Sequence, residues 1–129
     1  MNMNPEIKAL WIDALNSGEY TQGRGYLQKN GDFCCLGVLC DLAEKEGVIT
    51  HHTEDFGFDG TSTTVAIYGP DYASSSTMLP ETVAEWAGFE GNTMGRFEGR
   101  VDGINTLWEL NDSSHYSFRQ IAKVISEKF

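Results

Sequence analysis

The chain is predicted to fold as α+β, one globular domain over residues 1–129, with amphipathic helices at both ends and a buried central helix packed on a small antiparallel sheet. Three observations predict this. Apolar residues recur at helical spacing near the N-terminus and again from Phe118 onward. The stretch "FCCLGVLCDLAEK" is apolar around most of its circumference. Between these lie an Asn30-Gly31 turn signal and a β-branched, aromatic run, "TTVAIYG". A chain of 129 residues, 40% hydrophobic and 12% aromatic, can bury one core but not two.

The first helix is announced by Asn4 as N-cap and Pro5 at the first helical position. Ile7, Leu10, Trp11, Ala14 and Leu15 form its inward stripe, and Gly18 closes it. In "GYLQKNGDF" both Asn30 and Gly31 tolerate positive φ, which predicts a tight hairpin. From Val48 to Thr77 the composition is polar, with Thr63–Gly69 the one clear strand. The expected loop "HHTEDFGFDG" (His51 to Gly60) lies in this region. "LPETVAEWAGF" reads as a short helix with Pro80 at its start, Val83, Trp86 and Ala87 inward, and Gly88 beyond its end. Residues 89–103 carry several glycines and read as a mobile loop or a glycine-kinked hairpin. Ile104, Leu107 and Trp108 follow at helical spacing. The last helix is opened by a Ser117/Gln120 capping box with Tyr116 and Ile121 as its staple, and it buries Phe118, Ile121, Ala122 and Ile125.

Cys34, Cys35 and Cys40 fall within seven positions. On a helix advancing about 100° per residue they point in widely separated directions, so they do not converge on one ion. The spacing also lacks the paired C-x₂₋₄-C of a zinc site. Gly37, Asp41, Glu44 and Lys45 form one narrow polar stripe, and the rest of the helix is apolar apart from Glu46 at its end. The cysteines therefore read as small core hydrophobes. A reactive thiol at Cys34 or Cys35, near the helix N-terminus, is the competing reading.

Nineteen acidic and nine basic residues give a net charge of −10. This disfavours direct binding to nucleic acid or to an anionic membrane, which needs positive potential. No basic n-region and apolar h-region opens the chain, and its longest apolar run is too short to span a bilayer. With an odd number of cysteines, a reduced, cytoplasmic protein is expected.

Three of the four arginines sit among glycines: Arg24 in "QGRGYL", Arg96 and Arg100 in "MGRFEGRVDG". Glycine lets backbone N–H groups approach a ligand, and the guanidinium fork matches phosphate. These arginines, with Phe56 and Phe58 as stacking aromatics, are the candidate ligand-binding residues. The bland alternatives are solvated turn arginines and core phenylalanines. His51, His52, Glu54, Asp55 and Asp59 lack the alternating oxygen ligands of an EF-hand, and no C-x-x-C is present for a deaminase zinc, so no metal is expected. "NDSSHYS" holds Asp112, Ser113, Ser114 and His115, but neighbours in one loop rarely reach triad geometry, and turn and capping chemistry explains them. No catalytic residue and no cofactor is assigned. "SFRQIAKVI" could open a helix-turn-helix, yet no recognition helix follows it.

The segments "WIDALNSGEYTQGRGYL", "FCCLGVLCDLA", "LPETVAEWAGF" and "LNDSSHYSFRQIAKVI", in that order, resemble a family of small bacteriophage and prophage proteins with no activity assigned to the family. The resemblance implies a phage-type protein acting in the cytoplasm of an infected bacterium, and it carries over no site residues. Such proteins often inhibit host enzymes or defence systems by binding. The expected function is therefore a host-takeover or anti-defence inhibitor that sequesters a small anionic, nucleotide-like signal or occludes a host protein. A small nucleotide-directed hydrolase and an acidic nucleic-acid mimic are the alternatives. Homo-oligomers are compatible with either mode.

Overall fold

In the computed structural model, residues 3–129 are described except Asp59, with the side chains of Phe58 and Thr61 also outside the description. Helix α1 (Pro5–Asn16) starts where Asn4 Oδ1 accepts from the N–H groups of Glu6 and Ile7, at 2.9 and 3.2 Å. Gly18, with φ +79°, turns the chain away beyond its end. Ile7, Trp11 and Leu15 are buried. Leu10, expected inside, is 46% exposed. It lies about 100° round the helix from Trp11, and the buried face is narrower than the apolar pattern.

A hairpin follows, β1 (Gln28–Lys29) with β2 (Asp32–Phe33). Its turn uses Asn30 at φ +52° and Gly31 at φ +83°, the two left-handed residues that match strand twist. Strands β3 (His51–Phe58) and β4 (Thr61–Tyr68) pair antiparallel along their whole length, and the sheet order is β2-β1-β4-β3. Asn30 locks the two halves together: its N–H donates to Thr64 O and its Oδ1 accepts from Thr64 N–H, both at 2.8 Å.

The polar stretch from His51 is thus an edge strand rather than a loop. Residues 51–57 are all exposed, so neither face of β3 leaves the alternating apolar signature that identifies a strand. Main-chain bonding to β4 holds it instead. The glycine-rich 89–103 region resolves into the hairpin alternative, β5 (Arg96–Val101) with β6 (Ile104–Thr106), turning at Asp102 and Gly103.

Helix α2 (Cys35–Lys45) is the central element. Residues 35–40 and Ala43 are buried, and α1, α3 (Glu81–Ala87), α4 (Leu107–Asp112) and β2 all pack on it. In α3, Val83, Ala84 and Ala87 are buried while Trp86 is only half-buried. Helix α5 (Phe118–Lys128) begins with both bonds of the Ser117/Gln120 capping box and packs on α1 and α4. It buries Val124 beside the four expected residues.

Gly37 departs from the polar-stripe reading. It is buried with its Cα face against Leu27, and a Cβ there would lie 1.8 Å from Leu27 O. Backbone meets backbone at this crossing, which only glycine permits. Gly37→Ala is expected to cost about 3 kcal/mol or more, because main chain rather than a flexible side chain must move. Chemical denaturation checks this, and a loss below about 1 kcal/mol would show that the crossing yields easily.

Candidate functional site

A cleft of about 540 Å³ opens where the loop after α3 crosses β5 and the end of α5. Its size suits a small organic ligand. Phe89 and Phe97 are buried beneath it, and half-buried Phe129 packs on both edge-on, with ring centroids 5.8 and 6.4 Å away. Trp11 extends the same aromatic cluster, 6.2 Å from Phe89. Arg96 and Lys128 supply positive charge to the lining, and Glu90 and Glu98 supply acceptors. The lining thus offers aromatic surface for an apolar ring and both charged donors and carboxylate acceptors for polar groups.

Asn92 gives the loop its shape. Its Oδ1 accepts from Arg96 N–H at 2.7 Å, and its Nδ2 donates to Arg96 O at 2.8 Å. One side-chain amide thereby satisfies both main-chain groups of Arg96 and pins the loop to the start of β5. Gly95 O and Met94 O accept from the N–H groups of Leu107 and Trp108, anchoring the other side to α4. Lys128 Nζ lies 3.1 Å from where a Cβ on Gly99 would stand, so the ammonium crosses over β5.

Of the sequence-predicted ligand residues, Arg96 lines this cleft and Arg24, Arg100 and Phe56 do not. Arg24 Nε donates to Asn111 O at 3.1 Å, and Arg100 Nη1 donates to Gly103 O at 3.0 Å across its own turn. Phe56 stands 50% exposed on β3, and the Phe58 side chain and Asp59 lie outside the described residues. Sequence reasoning passed over Lys128, Asn92 and Phe129. Their contribution depends on three separate elements converging, and no local spacing signals that. Among the described residues, no group of three or more His, Cys, Asp and Glu side chains is placed to hold a metal ion. No helix there is long and apolar enough to cross a membrane.

The family model described as "Domain of unknown function (DUF8296)" matches residues 3–129. The chain belongs to this family. No curated protein and no solved structure matches it.

In this DUF8296 chain the three thiols are all buried. Burial pushes Cys34 up to about 12 and raises Cys35 and Cys40 well above the ordinary 9.0. Cys34 Sγ accepts from Gly37 N–H at 3.3 Å and caps α2, while Cys35 Sγ reaches Leu107 O at 3.7 Å. These are protonated packing groups, without the depressed pKa that a nucleophile needs.

The sign of the pH effect follows. The folded state holds thiol protons that the unfolded chain releases above about pH 9. Stability contributed by this difference is complete below pH 9 and is lost as pH rises toward and through the folded value. Urea denaturation from pH 7 to 11 should show that fall, with Cys34→Ala making it shallower. Thiol reagents should label the native protein slowly and the denatured protein fast. Rapid native labelling would contradict core thiols.

Proposed function

We propose that the cleft binds a small anionic ligand of the nucleotide class, and that the protein sequesters it as a phage-type inhibitor of a host signal or defence enzyme inside the bacterium. One observation carries the proposal: a cleft of ligand size combining Arg96 and Lys128 with an aromatic floor, on a chain whose net charge is −10. Elsewhere such a charge repels free anions; in the cleft Arg96 and Lys128 are balanced by Glu90 and Glu98, so the lining selects a ligand that offers both an anionic group and hydrogen-bond donors. The phage-type setting rests on the sequence resemblance. Sequestration is the mode we propose; the buried thiols are held protonated and take no part in it, and hydrolysis by a cleft carboxylate is the alternative that the recovery assay separates.

The test is thermal melting with a panel of linear and cyclic nucleotides, each recovered afterwards and checked for breakdown. A true ligand at about 100 times its Kd should stabilise the fold by about 2.7 kcal/mol. Arg96→Ala and Lys128→Ala should each weaken binding about tenfold or more, as loss of a charge-assisted hydrogen bond does, with little change in the ligand-free melt. Arg24→Ala and Arg100→Ala should leave affinity unchanged. Turnover of the recovered nucleotide would favour the hydrolase. No shift with any nucleotide, together with capture of a host protein, would favour occlusion.

A further inference from the structure

We propose that β3 is a self-complementary edge through which two copies of the chain pair, antiparallel and centred on Thr53. The inference is independent of the cleft. β3 is the outer strand of the sheet, with β4 on one side, and residues 51–57 are exposed. The phase of the ladder fixes which main-chain groups point outward. Gly69 N–H donates to Thr50 O, so residues 50, 52, 54 and 56 bond to β4 and residues 51, 53, 55 and 57 turn their N–H and C=O away. Two bonds confirm that phase. His51 N–H is taken from outside by Glu44 Oε2 at 3.0 Å, and Thr64, opposite Asp55, bonds to Asn30 on its other side. The outward groups of Thr53, Asp55 and Gly57 form an open template for another strand.

The side chains then select the occupant. "HHTED" (His51 to Asp55) reverses its charge character about Thr53. In a two-fold antiparallel pair centred there, His52 of each copy faces Glu54 of the other on one face of the sheet, and His51 faces Asp55 on the other face. A neutral imidazole can donate to a carboxylate and a protonated one adds charge, so the pairing works in either state. Within one chain, His52 Nε2 approaches Glu54 Oε1 at only 3.7 Å. His51, by contrast, is held by Glu44 and stacked on Tyr68, 5.0 Å between centroids, and Asp55 Oδ1 accepts from Thr64 Oγ1 at 2.7 Å, so the His52–Glu54 pairs carry the selection. The main chains match too. The two Thr53 residues exchange bonds, and Asp55 of one copy lies opposite His51 of the other, where its N–H meets the His51 C=O and its C=O takes over the His51 N–H that Glu44 holds in the single chain. Neighbouring registers lose this complement. Centring on Glu54 or Asp55 opposes carboxylate to carboxylate, and centring on His52 opposes imidazole to imidazole. A short ladder without a large apolar patch predicts a weak, concentration-dependent dimer.

Sedimentation velocity from micromolar to millimolar protein tests this. The wild-type chain should pass from monomer to dimer. Thr53→Pro removes the outward N–H without disturbing the bonds to β4 and should leave a monomer with an unchanged circular dichroism spectrum. His52→Glu opposes Glu to Glu and should weaken association about tenfold. The double swap His52→Glu with Glu54→His restores the complement and should restore the dimer. Mixing separate His52→Glu and Glu54→His chains should give a heterodimer that neither forms alone. Should Thr53→Pro fail to fold, the charge-swap series still decides. A wild-type monomer at every concentration, or a dimer indifferent to the swaps, would overturn the proposal.

Discussion

The fold depends on one close crossing, where the backbone of α2 at Gly37 rests on the backbone of Leu27 with no side chain between them. Leu27 is fully buried, its carbonyl accepts from Cys34 N–H at 3.2 Å, and its N–H donates to Ser76 O at 2.8 Å. The segment before β1 is therefore clamped between the start of α2 and the loop that follows β4. Because the helix sits so low, Cys35 through Cys40 are buried on all sides, and their neighbours must supply every partner for the polar groups they cover.

Two side chains do most of that work. Trp11 Nε1 donates to Cys35 O at 3.0 Å and so orients α1 on α2. Asn111, fully buried on α4, accepts from Cys35 N–H and Gln22 Nε2 and donates to Gly23 O and Asp112 Oδ1. Arg24, which looked like a ligand residue, donates to the same asparagine's carbonyl. The glycine-rich segment around it is thus a structural fastening of the 20–27 loop to α4. No buried side-chain polar atom among the described residues lacks a partner. A buried amide left unpaired costs about 1–3 kcal/mol, so this network fixes one arrangement and excludes its near alternatives.

Against that rigid centre, the cleft and the β3 edge are peripheral features carried by a hairpin, a loop and a helix end. The helices were legible in the sequence because their caps and stripes are local: Asn4 with Pro5, and Ser117 with Gln120, sit beside the elements they start. The turn at Asn30-Gly31 was legible for the same reason. β3 was not, since a strand exposed on both faces has no alternation to read. The cleft was legible only through Arg96. Arg100 closes its own turn, and Lys128 and Phe129 join Arg96 only because α5 packs on α1 and ends near β5. Gly37 could be read as part of a polar stripe because sequence periodicity shows direction round a helix but not what stands there.

Native-state hydrogen exchange tests the central claim most directly. If the Gly37–Leu27 crossing and the Asn111 network are the foundation, the amides of Cys35, Leu39, Cys40 and Ala43 should exchange only through global unfolding, with a free energy equal to that from denaturant titration. The outward amides of Thr53 and Asp55 should exchange orders of magnitude faster in the monomer. Exchange of the α2 amides through a local opening well below the global free energy, while α1 or α5 stayed protected, would contradict the account.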